Sequence, residues 1–194
     1  SVYCSGVYTY FEGYSPKCGG VHGATNVISA LKVSCNTYFY EIGRRLGIDN
    51  IVKYASGLGF GQATGIEVPE KTGTLSSPAL SEALGKTWYA GNVIQAAIGQ
   101  LDTTATPLQL AVYAAALANN GTRYQAHLVK TVTSFDQTEV IEEKQPTVLG
   151  KLDASEDAFA MVQEGMVAAS HSGGTSSSQF NTYSINVASK TGTP

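Results

Sequence analysis

Apolar residues at helical spacing predict three helices before residue 56. Either Thr25 or Asn26 can cap the first helix, and the second follows the tripeptide Ser34-Cys35-Asn36. Asp49 can cap the third helix, directly after Gly47 ends the second. The apolar positions that set these periods are Val27, Ile28, Leu31, Phe39, Ile42, Leu46, Ile51, Val52 and Ala55.

Glycine, serine and proline interrupt the chain from residue 56 to about 92, which predicts a long irregular segment. Thr106 and Pro107 then form a typical helix start, and the apolar residues 108–117 predict a buried helix. The longest uninterrupted apolar run is Leu110 to Ala118, nine residues. This run is far shorter than the roughly 20 residues that a membrane-spanning helix needs.

The last third of the chain changes character. Runs 127–135 and 138–142 are strand-like and predict a hairpin, whereas Ser155 begins a helix that ends at Gly173-Gly174. Alternation over 183–190 predicts a final strand. We therefore divide residues 1–194 into an irregular Cys/His segment (1–24), a helical lobe (25–126), and a part with hairpin, helix and strand (127–194).

Composition excludes several classes of function. The chain has 12 Lys and Arg against 15 Asp and Glu, a net charge of −3, and 43% hydrophobic residues. The chain is not basic enough to predict nucleic-acid binding, and it is not polar enough to predict intrinsic disorder over its whole length. Because it lacks an initiator methionine and stops after Thr193-Pro194, we expect a piece of a longer protein whose targeting or anchoring segment lies elsewhere.

Two short motifs carry candidate chemistry. The first is Ser34-x-Asn36, which is also what a helix-to-helix junction with two capping residues would contain. The second is Lys-Thr-Gly, which occurs at 71–73, in the irregular segment, and at 190–192, at the end of the predicted strand. A strand edge that presents a lysine, hydroxyls and bare glycine backbone can bind a peptide carboxylate. We therefore expect the copy at 190–192 to be functional and the copy at 71–73 to be a turn.

Beyond these two motifs, a set of segments is distinctive in its order along the chain: 34–40, 97–100, 106–111, 118–121, Gly165-Met166, Gly174-Thr175 and 188–193. Together they resemble the transpeptidase domain of class B penicillin-binding proteins, closest to the cell-elongation branch. That family uses three motifs, S-x-x-K, S-x-N and K-T-G. The resemblance implies an α/β fold of the penicillin-recognising serine transferase type (β-lactamase/transpeptidase-like), here mostly its helical lobe plus the K-T-G strand.

The resemblance implies a peptidoglycan D,D-transpeptidase that cross-links stem peptides ending in D-alanyl-D-alanine through a serine acyl-enzyme, which β-lactams trap. It implies no catalytic cofactor, no nucleic acid, a location on the extracytoplasmic face of the bacterial membrane, and cell-elongation membrane proteins as partners of regions outside this chain. Ser34, Asn36 and Lys190 would be catalytic, and Thr191, Gly192 and Thr193 would bind substrate.

The chain departs from the family at two points. Its only S-x-x-K, Ser29 to Lys32, lies five residues before Ser34, too close to be the nucleophile motif. Leu101 stands where many relatives continue Ile-Gly-Gln with glycine. We therefore expect this chain alone to be inactive. The alternative functions are a non-catalytic β-lactam-sensing or scaffold domain, and a D,D-carboxypeptidase or β-lactamase of the same superfamily.

Three cysteines and a histidine near the N-terminus form a second candidate site: Cys4, Cys18, His22 and Cys35. Three thiolates and an imidazole are a ligand set for a closed structural zinc site. An odd cysteine count argues against a full disulfide framework. A Cys4 to Cys18 disulfide with a buried Cys35 nevertheless stays open in an extracytoplasmic protein.

Overall fold

The structure, a computed structural model, describes residues 1–192. These residues form eight helices, α1 (Val27–Lys32), α2 (Asn36–Leu46), α3 (Ile48–Gly57), α4 (Pro78–Ala83), α5 (Asn92–Ala96), α6 (Pro107–Ala118), α7 (Glu156–Ser170) and α8 (Ser177–Phe180). Three antiparallel strand pairs accompany them: β1 (Val2–Cys4) with β2 (Gly23–Thr25), β3 (Thr122–Tyr124) with β6 (Val148–Lys151), and β4 (Thr131–Thr133) with β5 (Val140–Glu143). No helix over this range is long and apolar enough to cross a membrane.

The chain divides into two compact units. The first contains residues 1–52, 76–103 and 154 onward, and the second contains 53–75 and 104–153. Every described residue of the two candidate sites belongs to the first unit.

Close packing of α1 on α7 forms the centre of the first unit. A Cβ on Gly165 of α7 would lie 2.7 Å from Leu31 Cδ1 and 3.2 Å from Ile28 Cα, so only glycine permits this approach. Asn26 caps α1 and forms a reciprocal capping box with Ser29. The same unit contains two small cores, one of Cys4, Ala30 and Cys35 and one of Tyr8, Tyr40 and Ile94.

A buried amide organises the second unit. The Gln109 side chain of α6 is almost fully buried, and the two protons of its Nε2 are donated to the carbonyls of Thr72 (2.6 Å) and Gln62 (2.8 Å), with the Gly59 carbonyl also within reach at 3.3 Å. These bonds satisfy carbonyls of a segment without regular structure, which would otherwise be unpaired on burial. The irregular segment is thus held on the first turn of α6.

Several predicted elements are confirmed: α1, α2, α3, α6, α7 and the β4–β5 hairpin. Asp49 does not cap α3, because the helix begins at Ile48 and places Asp49 in its first turn. Ser77 and Pro78 start α4 inside the segment predicted to be irregular, so that prediction was too broad. The helix α6 is only partly buried, since Leu110 is 50% exposed. Its small alanines let one face pack while the other faces solvent.

The strand predicted over 183–190, within the 127–194 part, does not form in the structure. That prediction of secondary structure was wrong. A strand needs a neighbour for its hydrogen-bond ladder, and no strand within residues 1–192 pairs with it. A backbone hydrogen bond from Ser189 N–H to the Met166 carbonyl, 3.0 Å long, joins the segment to α7.

Candidate active site

Ser34 lies at the sharp junction between α1 and α2. Its φ of 53° is in the left-handed region, which a serine adopts only at a cost of about 1 to 2 kcal/mol. The Ser34 N–H donates to Leu31 O and the Cys35 N–H to Ala30 O, which fixes the reversal of the chain. Asn36 is the first residue of α2. The junction therefore presents Ser34 and Asn36 from a rigid, strained bend.

Lys190 reaches this bend from the far end of the chain. Its Nζ donates to Ser34 Oγ at 2.9 Å and to the carbonyl of Thr191 at 2.7 Å. The Lys190 side chain is exposed as a whole, but surrounding protein atoms partly desolvate its ammonium and lower its pKa. A hydroxyl in contact with such a lysine can accept and pass on a proton, and the ammonium can attract an anionic group.

The remaining predicted site residues are placed as follows. Thr191 Oγ1 donates to Thr175 Oγ1 at 3.1 Å. Gly192 is exposed, and a Cβ there would meet no atom within 4 Å. Thr193 lies outside the described residues. The structure thus brings Ser34 and Lys190 into contact, with Asn36 and Thr191 as their chain neighbours.

The second Lys-Thr-Gly, at 71–73, and the only S-x-x-K, at 29–32, have structural explanations. In the 71–73 copy, the Thr72 carbonyl accepts from Gln109, and Gly73 has a φ of 62° with Thr104 O only 2.2 Å from where a Cβ would be. Ser29, the serine of the only S-x-x-K, forms hydrogen bonds in the capping box of α1. Each of these two segments therefore has a role in stabilising the local backbone.

Cys4, Cys18, His22 and Cys35 converge on one point beside the Ser34 junction, with all four ligand atoms within 4.8 Å of one another. His22 Nδ1 lies 3.6 Å from Cys4 Sγ and 3.5 Å from Cys18 Sγ, and Cys18 Sγ lies 3.9 Å from Cys35 Sγ. A tetrahedral zinc with ordinary bond lengths requires about 3.6 Å between nitrogen and sulfur ligands and about 3.8 Å between two sulfurs. These contacts fit a zinc ion.

Hydrogen-bond donors around the sulfurs also fit a metal-bound thiolate. Burial on its own raises the pKa of the Cys4 thiol, but the Thr37 hydroxyl and the backbone N–H groups of His22 and Gly6 outweigh it and lower the pKa to about 7. Burial raises the pKa of Cys35 to about 12. A bound cation would offset the cost of ionising such a buried thiol.

The hydroxyl of Thr37 also bears on the state of the cysteine cluster. Its hydroxyl oxygen is buried and has no hydrogen bond of standard geometry to any described residue, yet it stabilises the Cys4 thiolate. Burying a hydroxyl without a hydrogen-bond partner costs free energy, unless a neighbouring charge interacts favourably with it. All three cysteines are free, so the Cys4 to Cys18 disulfide considered above is not formed in this structure.

Sequence reasoning assigned no role to several hydroxyl residues near the two candidate sites. Ser170, Thr175, Ser176 and Ser189 contact one another or the 190–191 segment, and Thr37 lies beside the cysteines. Thr37, Thr175 and Ser189 fall within segments that carry the resemblance, but no pattern in the sequence gives their roles, and only the fold reveals which hydroxyls lie close to one another.

Residues 5–194 match the family model described as the penicillin binding protein transpeptidase domain. The chain is 33% identical over 175 residues to the peptidoglycan D,D-transpeptidase MrdA of Salmonella typhimurium, covering 89% of this chain and 28% of that protein. It is 32% identical over 192 residues to penicillin-binding protein H of Bacillus subtilis, covering 88% of this chain and 25% of that protein. The chain therefore spans about a quarter of the length of these relatives.

Solved structures agree on the fold. Pseudomonas aeruginosa PBP2 in complex with WCK 5153 superposes with a TM-score of 0.82 and 28% identity, covering 97% of this chain and 43% of that one. The PBP2 of a Helicobacter pylori complex with MreC superposes equally well, with a TM-score of 0.82, but at 24% identity, covering 98% of this chain and 34% of that one. The penicillin-recognising serine transferase fold is thereby confirmed.

Proposed function

This chain belongs to the penicillin-binding protein transpeptidase domain family, and from that premise we propose that it forms part of a peptidoglycan D,D-transpeptidase. The contact between Lys190 Nζ and Ser34 Oγ carries the proposal. It joins two family motifs that are 156 positions apart. The chemistry expected of such a pair is proton transfer beside a bound carboxylate.

The reaction begins when a serine hydroxyl attacks the carbonyl carbon of the penultimate D-alanine in a stem peptide. The new C–O bond forms an ester, the amide C–N bond breaks, and the terminal D-alanine leaves with the proton taken from the serine. The amine of a second stem peptide then attacks the ester, forms the cross-link and returns the proton to the serine. We place the attacking serine and its lysine base in an S-x-x-K motif outside residues 1–194.

Each residue of the site has a proposed role. Ser34 relays the proton between the base and the leaving nitrogen, and Asn36 hydrogen-bonds the acyl-side amide of the substrate. The Lys190 ammonium and the Thr191 and Thr193 hydroxyls bind the terminal carboxylate. Gly192 admits the substrate backbone, and the Thr193 N–H stabilises the developing oxyanion. A β-lactam enters the same sequence but stops at the ester.

We also propose a structural zinc held by Cys4, Cys18, His22 and Cys35, with four protein ligands and no open coordination position. The ion takes no part in the chemistry. It ties the N-terminal segment to the junction, because Cys35 lies between Ser34 and Asn36.

The substrate implies a location on the extracytoplasmic face of the membrane, with an anchor outside this chain. We propose membrane proteins of cell elongation as partners, through regions beyond residues 1–194. The support is the shared fold with the PBP2 found in complex with MreC in Helicobacter pylori.

The test is acylation of the longer protein that contains this chain. We expect a fluorescent penicillin to label it stoichiometrically, and peptide mapping to place the adduct on a serine outside residues 1–194. The chain of 194 residues alone should give no adduct by intact-mass analysis. An adduct on Ser29 or Ser34 would refute the assignment of the nucleophile.

Two further outcomes distinguish the alternatives. A longer protein that never forms an adduct would be a scaffold. An adduct that hydrolyses within seconds, or release of D-alanine without cross-linking, would indicate a β-lactamase or carboxypeptidase.

A further inference from the structure

Three serine hydroxyls meet directly beside Lys190. Ser189 Oγ lies 2.7 Å from Ser170 Oγ and also contacts Ser176 Oγ. Ser170 and Ser176 are buried, at 1% and 6% exposure, and Ser189 is half-buried. Hydroxyls gathered in a buried place must satisfy one another, because water does not reach them freely.

The proton positions in this cluster follow from its geometry. Ser176 Oγ donates to the carbonyl of Ala169 at 2.9 Å, so its only proton is used there. Ser176 must therefore accept from Ser189, and Ser189 in turn accepts from Ser170. The hydroxyls form a single directed chain from Ser170 through Ser189 and Ser176 to the end of α7.

The loop that carries this chain of hydroxyls contacts the residues on both sides of Lys190. Ser189 precedes Lys190 and is bound as described, and Thr191 follows it and donates to Thr175 in the same loop. The Thr175 N–H donates to the carbonyl of Lys32 at 3.1 Å, two residues before Ser34. The loop of residues 170–176 therefore links the backbone on both sides of the Lys190–Ser34 contact.

We propose that Ser189, bound between Ser170 and Ser176, is a positioning residue that sets the distance between Lys190 and Ser34. The proposal rests on the proposed function, since the Lys190–Ser34 pair is the site that it serves. The described residues give the 183–192 segment no strand ladder, so these hydroxyls and one backbone bond fix the lysine. Loss of the Ser189 hydroxyl leaves two buried hydroxyls with one partner fewer and lets the Lys190 backbone move.

The experiment uses the longer protein that contains this chain, with Ser189→Ala, Ser176→Ala and Ser189→Thr. We expect the two alanine variants to be acylated by a fluorescent penicillin about 10-fold more slowly than wild type. Ser189→Thr keeps a hydroxyl and should recover most of the rate. Ser178→Ala, an exposed serine of the neighbouring α8, is the matched control and should leave the rate unchanged.

A second measurement separates positioning from general destabilisation. With ε-carbon-labelled lysine, NMR titration should show the pKa of Lys190 rising toward the ordinary lysine value in Ser189→Ala, because a loosened side chain regains water. Lys190→Arg assigns the resonance. A loss of folding stability alone would lower the melting temperature and leave this titration unchanged.

The outcomes are distinct. Slower acylation together with a raised Lys190 pKa supports the inference, and alanine variants that behave like Ser178→Ala overturn it. If wild type is not acylated at all, the proposed function fails. The titration then still decides this inference, because an unchanged Lys190 pKa in Ser189→Ala shows that the hydroxyl does not position the lysine.

Discussion

Lys190 donates a hydrogen bond to Ser34 at 2.9 Å although 156 positions of the sequence separate them. Ser34 occupies a left-handed bend between two helices, and Lys190 lies on a segment without regular secondary structure, which hydroxyl contacts join to the 170–176 loop. A strained residue at such a contact is typical of functional sites, where the surrounding structure maintains the conformation. The two Lys-Thr-Gly copies can therefore be told apart by experiment.

In the longer protein, Lys190→Ala should lower the rate of acylation by at least 10²-fold. The substitution removes a charge that acts in both binding and the transition state, an effect of about 3 kcal/mol. Lys71→Ala is the matched control, because Lys71 is exposed and lies in the other unit. The rates come from stopped labelling with a fluorescent penicillin. Equal losses in the two variants would show that the wrong copy was assigned to the site.

Local rules predicted most of the helices because each has a signal within a few residues. Asn26 and Ser155 cap α1 and α7, and Thr106 with Gln109 forms the capping box of α6. These features depend on hydrogen bonds between neighbours in sequence. The helix α4 carries the same kind of signal at Ser77-Pro78 and was overlooked because it is short.

The failures have a different physical origin. The strand predicted over 183–190 depends on a partner strand, which alternation along one segment does not supply. The contact of Ser189 with Ser176 joins two segments that no local pattern relates to each other. The resemblance to a family gave the order of the motifs and includes Thr175 and Ser189 in its segments, but it assigns their hydroxyls no role. The contacts among these hydroxyls are revealed only by the fold of the loop after α7.

Leu101→Gly should stabilise the protein by about 0.5 to 1 kcal/mol. Leu101 has a φ of 68°, a conformation that favours glycine, and it is an exposed residue. The relief of backbone strain exceeds the added entropy of glycine in the unfolded chain. Urea denaturation measures the change. Leu101→Ala keeps the Cβ and should show no gain, and equal effects of the two variants would exclude backbone strain as the cause.

Glu41→Gln should destabilise the protein at neutral pH by about 2 kcal/mol. The Glu41 carboxylate is 13% exposed and accepts from Arg44 Nη2 at 2.9 Å, Tyr8 at 2.7 Å and Arg45 at 2.6 Å. Hydrogen bonds from Arg44, and then from Tyr8 and Arg45, outweigh burial and lower the pKa of Glu41 from 4.5 to about 2. The ionised form is therefore the one that the fold favours.

The sign of this shift fixes the pH dependence. Because the folded-state pKa lies below the unfolded value, the stabilisation is complete above pH 4.5 and is lost as the pH falls toward 2. The difference between wild type and Glu41→Gln, measured by urea denaturation, should shrink over that window. Glu82→Gln, an exposed glutamate of α4, should differ from wild type by less than about 0.5 kcal/mol throughout. A difference for Glu41→Gln that is independent of pH would refute the ion-pair explanation.

The last prediction concerns the cysteines. Protein purified without added metal should contain about one zinc per chain, and its thiols should react with a thiol reagent only after chelation. The distances among Cys4, Cys18, His22 and Cys35 match the edges of a zinc tetrahedron, which is the physical reason. Metal-free protein with one reactive thiol and a Cys4 to Cys18 disulfide would contradict it.

Thr37 offers a finer test of the same site. Its buried hydroxyl stabilises the Cys4 thiolate, so Thr37→Val should weaken zinc binding about 10-fold in a competition with a chelator. Thr37→Ser keeps the hydroxyl and should bind zinc like wild type. Because Cys35 lies between Ser34 and Asn36, loss of the ion should also slow acylation of the longer protein through a loosened junction. Equal zinc affinity in the valine and serine variants would show that the hydroxyl plays no part in the site, whatever the metal content.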